Sequence, residues 1–446
     1  MNACSCFLLL TSLASFVSAA ELKTKRSNPE NYRSIISTLV AGDTLMLEAG
    51  VYPRGLPLSA CNGTAEDWIT IQGPANGVAE IRQSQEANCV ELRQCSYVAL
   101  KSLLIQGEGS SGIPGLFGIS AQGGAKNSVH HILIEDCTIS DWCTSQQAVG
   151  ISTKTPTWDW IIRRNIIRRC GTGLYLGNSN GESPFIRGII EHNLVHDSIG
   201  YCMEIKYQNP RPEIAGIPTT PSRTIIRHNV FIKNDAPSPD GDRPNVLVGG
   251  FPDTGAGSAD LYEIYGNFFF HNPRESLLHA SGRVTIHDNV FADCPSTDSA
   301  AILLRDHDLP LKQAYLYNNT LCAVTRGVRI ASPARERHAV IGNVIFATEP
   351  LVLHPSITEV AENIMGPIAS APDHLKKPVA TLGLMDLHPR PDHCQEAPLD
   401  LSAFATDTAF DLDFDGETKA SRTHRGAYSG HAVTQGWQLQ HERKTP

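Results

Sequence analysis

One asparagine recurs along this chain in a fixed setting. An alternating apolar run precedes it and two or three apolar residues follow it. It opens "NIIRRC" (165–170), "NLVHDS" (193–198), "NVFIKN" (229–234), "NFFFHN" (267–272), "NVFADC" (289–294) and "NTLCAV" (319–324). With Asn343 and Asn363 added, and Cys137 of "IEDCTI" in the same place, the steps are 28, 28, 36, 38, 22, 30, 24 and 20 residues. Self-similarity at such a period marks a solenoid, whose units bury their apolar faces only against their neighbours.

The content of each unit decides which solenoid. Before the asparagine stand "TIIRHN" (224–229), "YEIYGN" (262–267) and "VTIHDN" (284–289). After it come "CMEIKY" (202–207), "NVLVGG" (245–250), "AAILLR" (300–305) and "RGVRIA" (326–331). Period-two runs rich in β-branched and apolar residues are strands, and no unit leaves room for a ten-residue helix. Strands stacked in parallel, rung on rung, make an all-β chain: a single-stranded right-handed parallel β-helix of roughly ten to twelve rungs. The asparagine is expected to take a left-handed backbone at a tight bend and to bond the asparagine of the next rung. Residues 28–53 supply an N-terminal cap, a short amphipathic helix followed by a strand at "TLMLEAG". The β-helix domain is expected over 21–366. The Pro- and His-rich stretch 367–446 is expected to cover its far end or to run along its side.

Composition sets limits. The chain has 446 residues, 41% of them hydrophobic and 19% charged, enough apolar matter for a long core. A net charge of −9 gives nucleic-acid binding no global support. Residues 1–20 read as a signal peptide, with the apolar "CFLLLTSLASFV" before small residues, so a secreted or periplasmic location is expected. No later stretch has the roughly 18 apolar residues of a membrane span. The 12 cysteines form no C-x-x-C pair, which argues against a zinc site. Cys143 and Cys170 follow equivalent ladder positions by six and five residues and are expected to pair.

"GDTLMLEAGVY" (42–52) followed by asparagine-laddered rungs resembles the pectin-lyase-like superfamily of secreted β-helix proteins. The closing "DFDGETKASRTHRGAY" (413–428) is similar to an ending of its bacterial members. The resemblance implies the fold. Members include polysaccharide lyases, glycoside hydrolases, epimerases and non-catalytic adhesins, so the reaction has to be sought in a site.

The two longest steps adjoin, and their extra residues form 208–223 and 233–245, with 251–260 a third insertion. Insertions on neighbouring rungs are expected to wall a cleft. Registering the strands by their apolar positions turns Ile151, Leu174, Met203, Val246, Leu277, Ile302 and Val328 inward, with Thr153, Leu176, Ile205, Val248, His279, Leu304 and Ile330. One outward row then reads Lys154, Gly177, Lys206, Gly249, Ala280, Arg305. The next reads Ser152, Tyr175, Glu204, Leu247, Leu278, Leu303, Arg329. At about 4.8 Å per rung, Lys154 and Arg305 lie about 10 and 14 Å from Lys206 along a groove suited to an acidic polysaccharide. Small Gly177 and Gly249 beside Lys206 are expected to leave room for the chain. Tyr175, Lys154, Tyr207, Arg211, Arg243 and His307 are the expected substrate contacts.

Elimination from a uronic acid needs a base, a cation on the carboxylate and an acid for the leaving oxygen. Lys206 is the expected base if burial or the cations Arg211 and Arg305 lower its pKa. "CMEIKYQN" (202–209) resembles the lysine-bearing strand of the chondroitinase-B and alginate lyase family. That resemblance implies Lys206 as base and Glu204 near a Ca²⁺ ion. "SLLHASGRVTIHDNVF" (276–291) resembles that family's Arg-His-Gly strand, with His279 standing where the arginine belongs. His279 and Arg305 are therefore the other expected catalytic residues. A glycoside hydrolase using Glu204, Asp306 and Asp308 is the enzymatic alternative, and it needs two carboxyls across the bond. A glycan-binding surface β-helix is the non-enzymatic one. "DLDFDG" (411–416) lacks the twelfth-position glutamate of a calcium loop and reads as a turn.

Overall fold

The computed structural model describes residues 23–83, 88–111, 115–430 and 436–445. The expected signal peptide lies outside them. Three parallel sheets of 14, 12 and 11 strands run the length of the chain. The first holds the strands that end before each ladder asparagine, such as Arg223–Arg227, Leu261–Tyr265 and Gly282–His287. The second holds those that follow it, such as Val230–Ile232, Phe268–Phe270 and Val290–Ala292. The third holds Val149–Thr153, Thr172–Leu176, Met203–Ile205, Val246–Val248, Leu278–Ala280 and Ile302–Leu304. The chain visits the three in turn and pairs each strand with its equivalent one rung away. This is the right-handed parallel β-helix that the repeat and the superfamily resemblance implied.

The ladder is continuous. Asn229 donates from its backbone N–H and from Nδ2 to Oδ1 of Asn267, at 2.9 and 3.0 Å. The same pair of hydrogen bonds links Asn165, Asn193, Asn229, Asn267, Asn289, Asn319, Asn343 and Asn363 in sequence. Cys137 begins it by donating its N–H to Asn165. The left-handed residue is the one before each asparagine, not the asparagine: His228 has φ 55°, Gly266 65°, Asp288 51° and Asn318 53°. The bend comes first, and it turns the asparagine inward so that its amide reaches the next rung. Inside, Phe231, Phe269 and Phe291 stack with centroids 5.3 and 4.5 Å apart. Such pairs add about 0.5–1.5 kcal/mol each beyond their burial.

The strand Thr24–Ser27, the helix Tyr32–Ile36 and the strand Thr44–Leu47 form the N-terminal cap, with Tyr32 and Ile36 facing the core. Residues beyond 366 pack along the outside. Leu387, Phe414, Tyr428 and Leu439 cover Val230, Phe268 and Val290 of the second sheet. Phe404 stacks on Tyr317, 4.4 Å between centroids, extending an outer column of Tyr265, His287 and Tyr317.

Cys143 and Cys170, expected to form a disulfide or a stacked thiol pair, form no disulfide, and both thiols are free. Cys170 is in register with Trp142, one residue short of Cys143. Successive strand residues face opposite ways, so Cys170 is buried while Cys143 is half-exposed.

Candidate functional site

The third sheet carries a cleft of about 420 Å³. Its floor comes from three consecutive rungs, those of Val149, of Thr172 and Tyr175, and of Glu204. Ser152 is in register with Tyr175, and Tyr175 with Glu204. Lys154 and Lys206 rise from the neighbouring outward row, and Phe117, Gln146, Tyr201 and Arg243 complete the walls.

Glu204 lies on the strand Met203–Ile205 and Lys206 directly follows it, two residues on, so both side chains leave the same face. Lys206 Nζ donates to Glu204 Oε1 at 3.0 Å, with 14% and 5% of the two side chains exposed. Burial raises the Glu204 carboxyl above the ordinary carboxylate range and outweighs the pull of Lys206 in the other direction. Lys154 is placed differently. Its Nζ lies 3.9 Å from the ring centre of Tyr175 and 5.7 Å from that of Phe117. Among the described residues no carboxylate lies within ion-pairing distance of it. Burial lowers its pKa to about 8; the Glu204 charge pulls the other way, and Lys206 adds to the lowering. Arg243 lies 5.7 Å from the Tyr201 ring and donates to the Asp240 and Asp242 carbonyls. Burial raises the Tyr175 and Tyr201 phenols well above their usual range, and the Glu204 charge adds to it, so both stay protonated.

Several sequence expectations need correction. His279 does not face inward. Leu278 and Ala280 are in register with Val246 and Val248, so His279 joins the Tyr175–Glu204–Leu247 row and Leu278 leaves it. Ser281 then takes the place expected of Ala280 beside Gly249. The short run "LLHA" offered two apolar registers, and a one-residue slip inverts every side chain. His279 lies two rungs from Glu204 and accepts from Arg305 Nε at 3.3 Å. Burial, with the His307 and Arg305 charges, pushes its pKa down to about 3. Its ring centre is 5.0 Å from that of His307. His279, Arg305 and His307 thus form a second group further along the groove, outside the Lys206 cleft.

Arg211 is no ligand contact. It binds Asp260 and the Pro218 and Thr220 carbonyls, with 1% of its side chain exposed. The loop 208–223 does not wall the cleft either. Its Ile214 and Ala215 lie against Asn127 and His130 on the first-sheet side, and Arg243 is what 233–260 brings to the cleft lining. The glycines beside Lys206 serve the backbone. A Cβ at Gly249 would come within 2.3 Å of the Tyr207 nitrogen, and Gly177 has φ +90°. Tyr207 keeps its ring 5.9 Å from Lys206 Nζ, outside the cleft lining.

The carboxyls required by a hydrolase do not converge. Asp306 is spent on Arg335 at 2.7 Å and on the Leu311 N–H at 2.9 Å, while Asp308 pairs with His307 at 3.7 Å. Among the described residues Glu204 is the one carboxylate in the cleft lining. The donor set does not fit Ca²⁺, which takes six to eight oxygens. Glu204 offers one buried carboxylate and already faces an ammonium. Tyr201, Phe117 and Gln146 escaped the sequence reading because they sit at rung corners, where no strand alternation marks them.

The chain matches no known family model and no curated protein. Among solved structures it resembles a PL6-family alginate lyase at TM-score 0.48 and 12% identity, over 83% of this chain and 55% of that one. A GH136 lacto-N-biosidase from Eubacterium ramulus matches at TM-score 0.45 and 13% identity, over 78% of this chain and 68% of that one. The A-module of a mannuronan C-5 epimerase from Azotobacter vinelandii matches at TM-score 0.44 and 15% identity, over 73% and 91%. Likeness at this level leaves the chemistry of the site to its own geometry.

Proposed function

We propose that the protein is an exported polysaccharide lyase that cleaves an acidic polysaccharide by β-elimination in the cleft on the third sheet. The observation that carries this reading is the contrast between its two lysines. Lys206 is bonded to Glu204 at 3.0 Å, whereas Lys154 lies over Tyr175, without a carboxylate partner among the described residues, and burial lowers its pKa to about 8. Lys206, held at the cleft floor by Glu204, is placed to meet a substrate carboxylate. A lysine desolvated among rings can lose its proton near neutral pH and act as base. The base role expected of Lys206 therefore passes to Lys154.

In the reaction, Lys206 and Arg243 hold the uronate carboxylate and make the adjacent C5 proton acidic. Lys154 Nζ takes that proton. The C5–H electron pair becomes the C4–C5 double bond, the C4–O bond breaks, and the departing oxygen takes a proton from Tyr175 or Tyr201. Arg305 and His307, with His279 buried beneath them, give the polymer a further contact along the sheet. Incubation with a panel of acidic polysaccharides tests the reading, with the ultraviolet absorbance of unsaturated ends as the signal. New reducing ends without that absorbance would assign a hydrolase. Binding without cleavage would assign a glycan-binding module.

A further inference from the structure

We propose that His196, Asp197 and His441 bind one divalent transition-metal ion, which fastens the segment 436–445 to the second sheet. His196 ends the strand Leu194–His196. Successive strand residues normally point to opposite faces, but Asp197 has φ 55° and turns its carboxylate back beside its neighbour's ring. His196 Nδ1 and Asp197 Oδ2 are 2.8 Å apart. Asn234 Nδ2 donates to the other carboxylate oxygen, Oδ1, at 2.9 Å and fixes its orientation, the support that ligating carboxylates normally have.

The third group arrives from the far end of the chain. The His441 ring stands perpendicular to His196, with centroids 4.3 Å apart. One ligand atom from each of the three residues lies within 4.8 Å of the others. Ligands at about 2.0–2.2 Å from one ion are about 3–3.5 Å apart, so small side-chain rotations close the site. Two imidazoles and one carboxylate select zinc, cobalt, nickel or copper over calcium or magnesium. His196 is buried and His441 exposed, which leaves an open side for water to complete the coordination. The segment is already anchored nearby, since His192 Nδ1 bonds the Lys444 carbonyl at 2.8 Å and Lys444 Nζ donates to the Gly266 carbonyl at 3.0 Å. The ion would add a third anchor in an oriented, partly preformed site.

The test uses the whole chain, purified without a polyhistidine tag and stripped with chelator. Titration with Co²⁺ followed by visible absorption, and with Zn²⁺ by calorimetry, should give one ion per chain and a raised Tm. His441→Ala should weaken binding by more than about tenfold while circular dichroism stays unchanged. His196→Ala should do the same, and the half-buried His354→Ala should leave binding intact. If His196→Ala does not fold, the exposed His441 variant carries the test. Absence of binding, or binding unaffected by His441→Ala, overturns the proposal and leaves a hydrogen-bonded His–Asp pair with His441 packed against it.

Discussion

Lys206 Nζ and Glu204 Oε1 meet at 3.0 Å on one face of the third sheet, and neither side chain has more than 14% of its surface in contact with solvent. In the proposed reaction the pair is both structural and chemical, and the two contributions separate by mutation. Lys206→Ala leaves Glu204 buried without its partner, which costs about 3–5 kcal/mol in a urea melt. The double variant Glu204→Gln/Lys206→Met removes both charges and should regain most of that stability. It should still lose about 10²–10³ in kcat/KM, because the substrate carboxylate is no longer neutralised. Recovery of activity along with stability would make the pair purely structural.

In the proposed reaction Lys154 sets the pH dependence. A base has to be unprotonated, and burial brings this lysine to about 8. The value of kcat/KM should therefore rise with pH through about 8 and level off above it. Lys154→Met should abolish that limb and lower kcat/KM by about 10²–10⁴, the usual worth of a general base. The substitution keeps the length of the stem over Tyr175, so Tm should change little.

The asparagine ladder predicts where the solenoid is brittle. Asn229 Nδ2 also donates to the Ile190 carbonyl at 2.8 Å, and Asn229 Oδ1 accepts the Asn193 N–H at 3.0 Å. Asn229→Ala orphans buried groups on two rungs at once, at about 1–3 kcal/mol each. Because each rung contacts only its neighbours, hydrogen exchange should accelerate locally around 190–232 and 264–268 before the whole molecule opens.

Arg211 and Asp260 form the other prediction drawn from a buried pair, with 1% and 4% of their side chains exposed. Arg211→Ala should cost about 3–5 kcal/mol and loosen both insertions. Substrate affinity should change only as far as the fold does. A selective loss of affinity in a stable variant would return Arg211 to the cleft.

The fold was legible because the asparagine spacing and the period-two runs point to the same architecture. The register was legible wherever an apolar residue alternated with a polar or small one, as at Ile151, Met203 and Ile205. It failed at "LLHA", where either leucine suits the core and only the neighbouring rungs choose Leu278. Arg211 looked available because its partner Asp260 stands on a different insertion, 49 residues away, and local pattern cannot show that pairing. Tyr201 carried no signal, since corner residues follow no alternation. Lys154 was visible as a row member, but its lack of a carboxylate partner and its place over Tyr175 are tertiary facts.

The most direct measurement is product absorbance on uronate polysaccharides, comparing wild type with Lys154→Met. Wild type should generate unsaturated ends on at least one acidic polymer, and Lys154→Met should bind that polymer with similar affinity while producing almost none. Unsaturated product formed equally by both proteins, or no product from wild type on any polymer that it binds, would contradict the account.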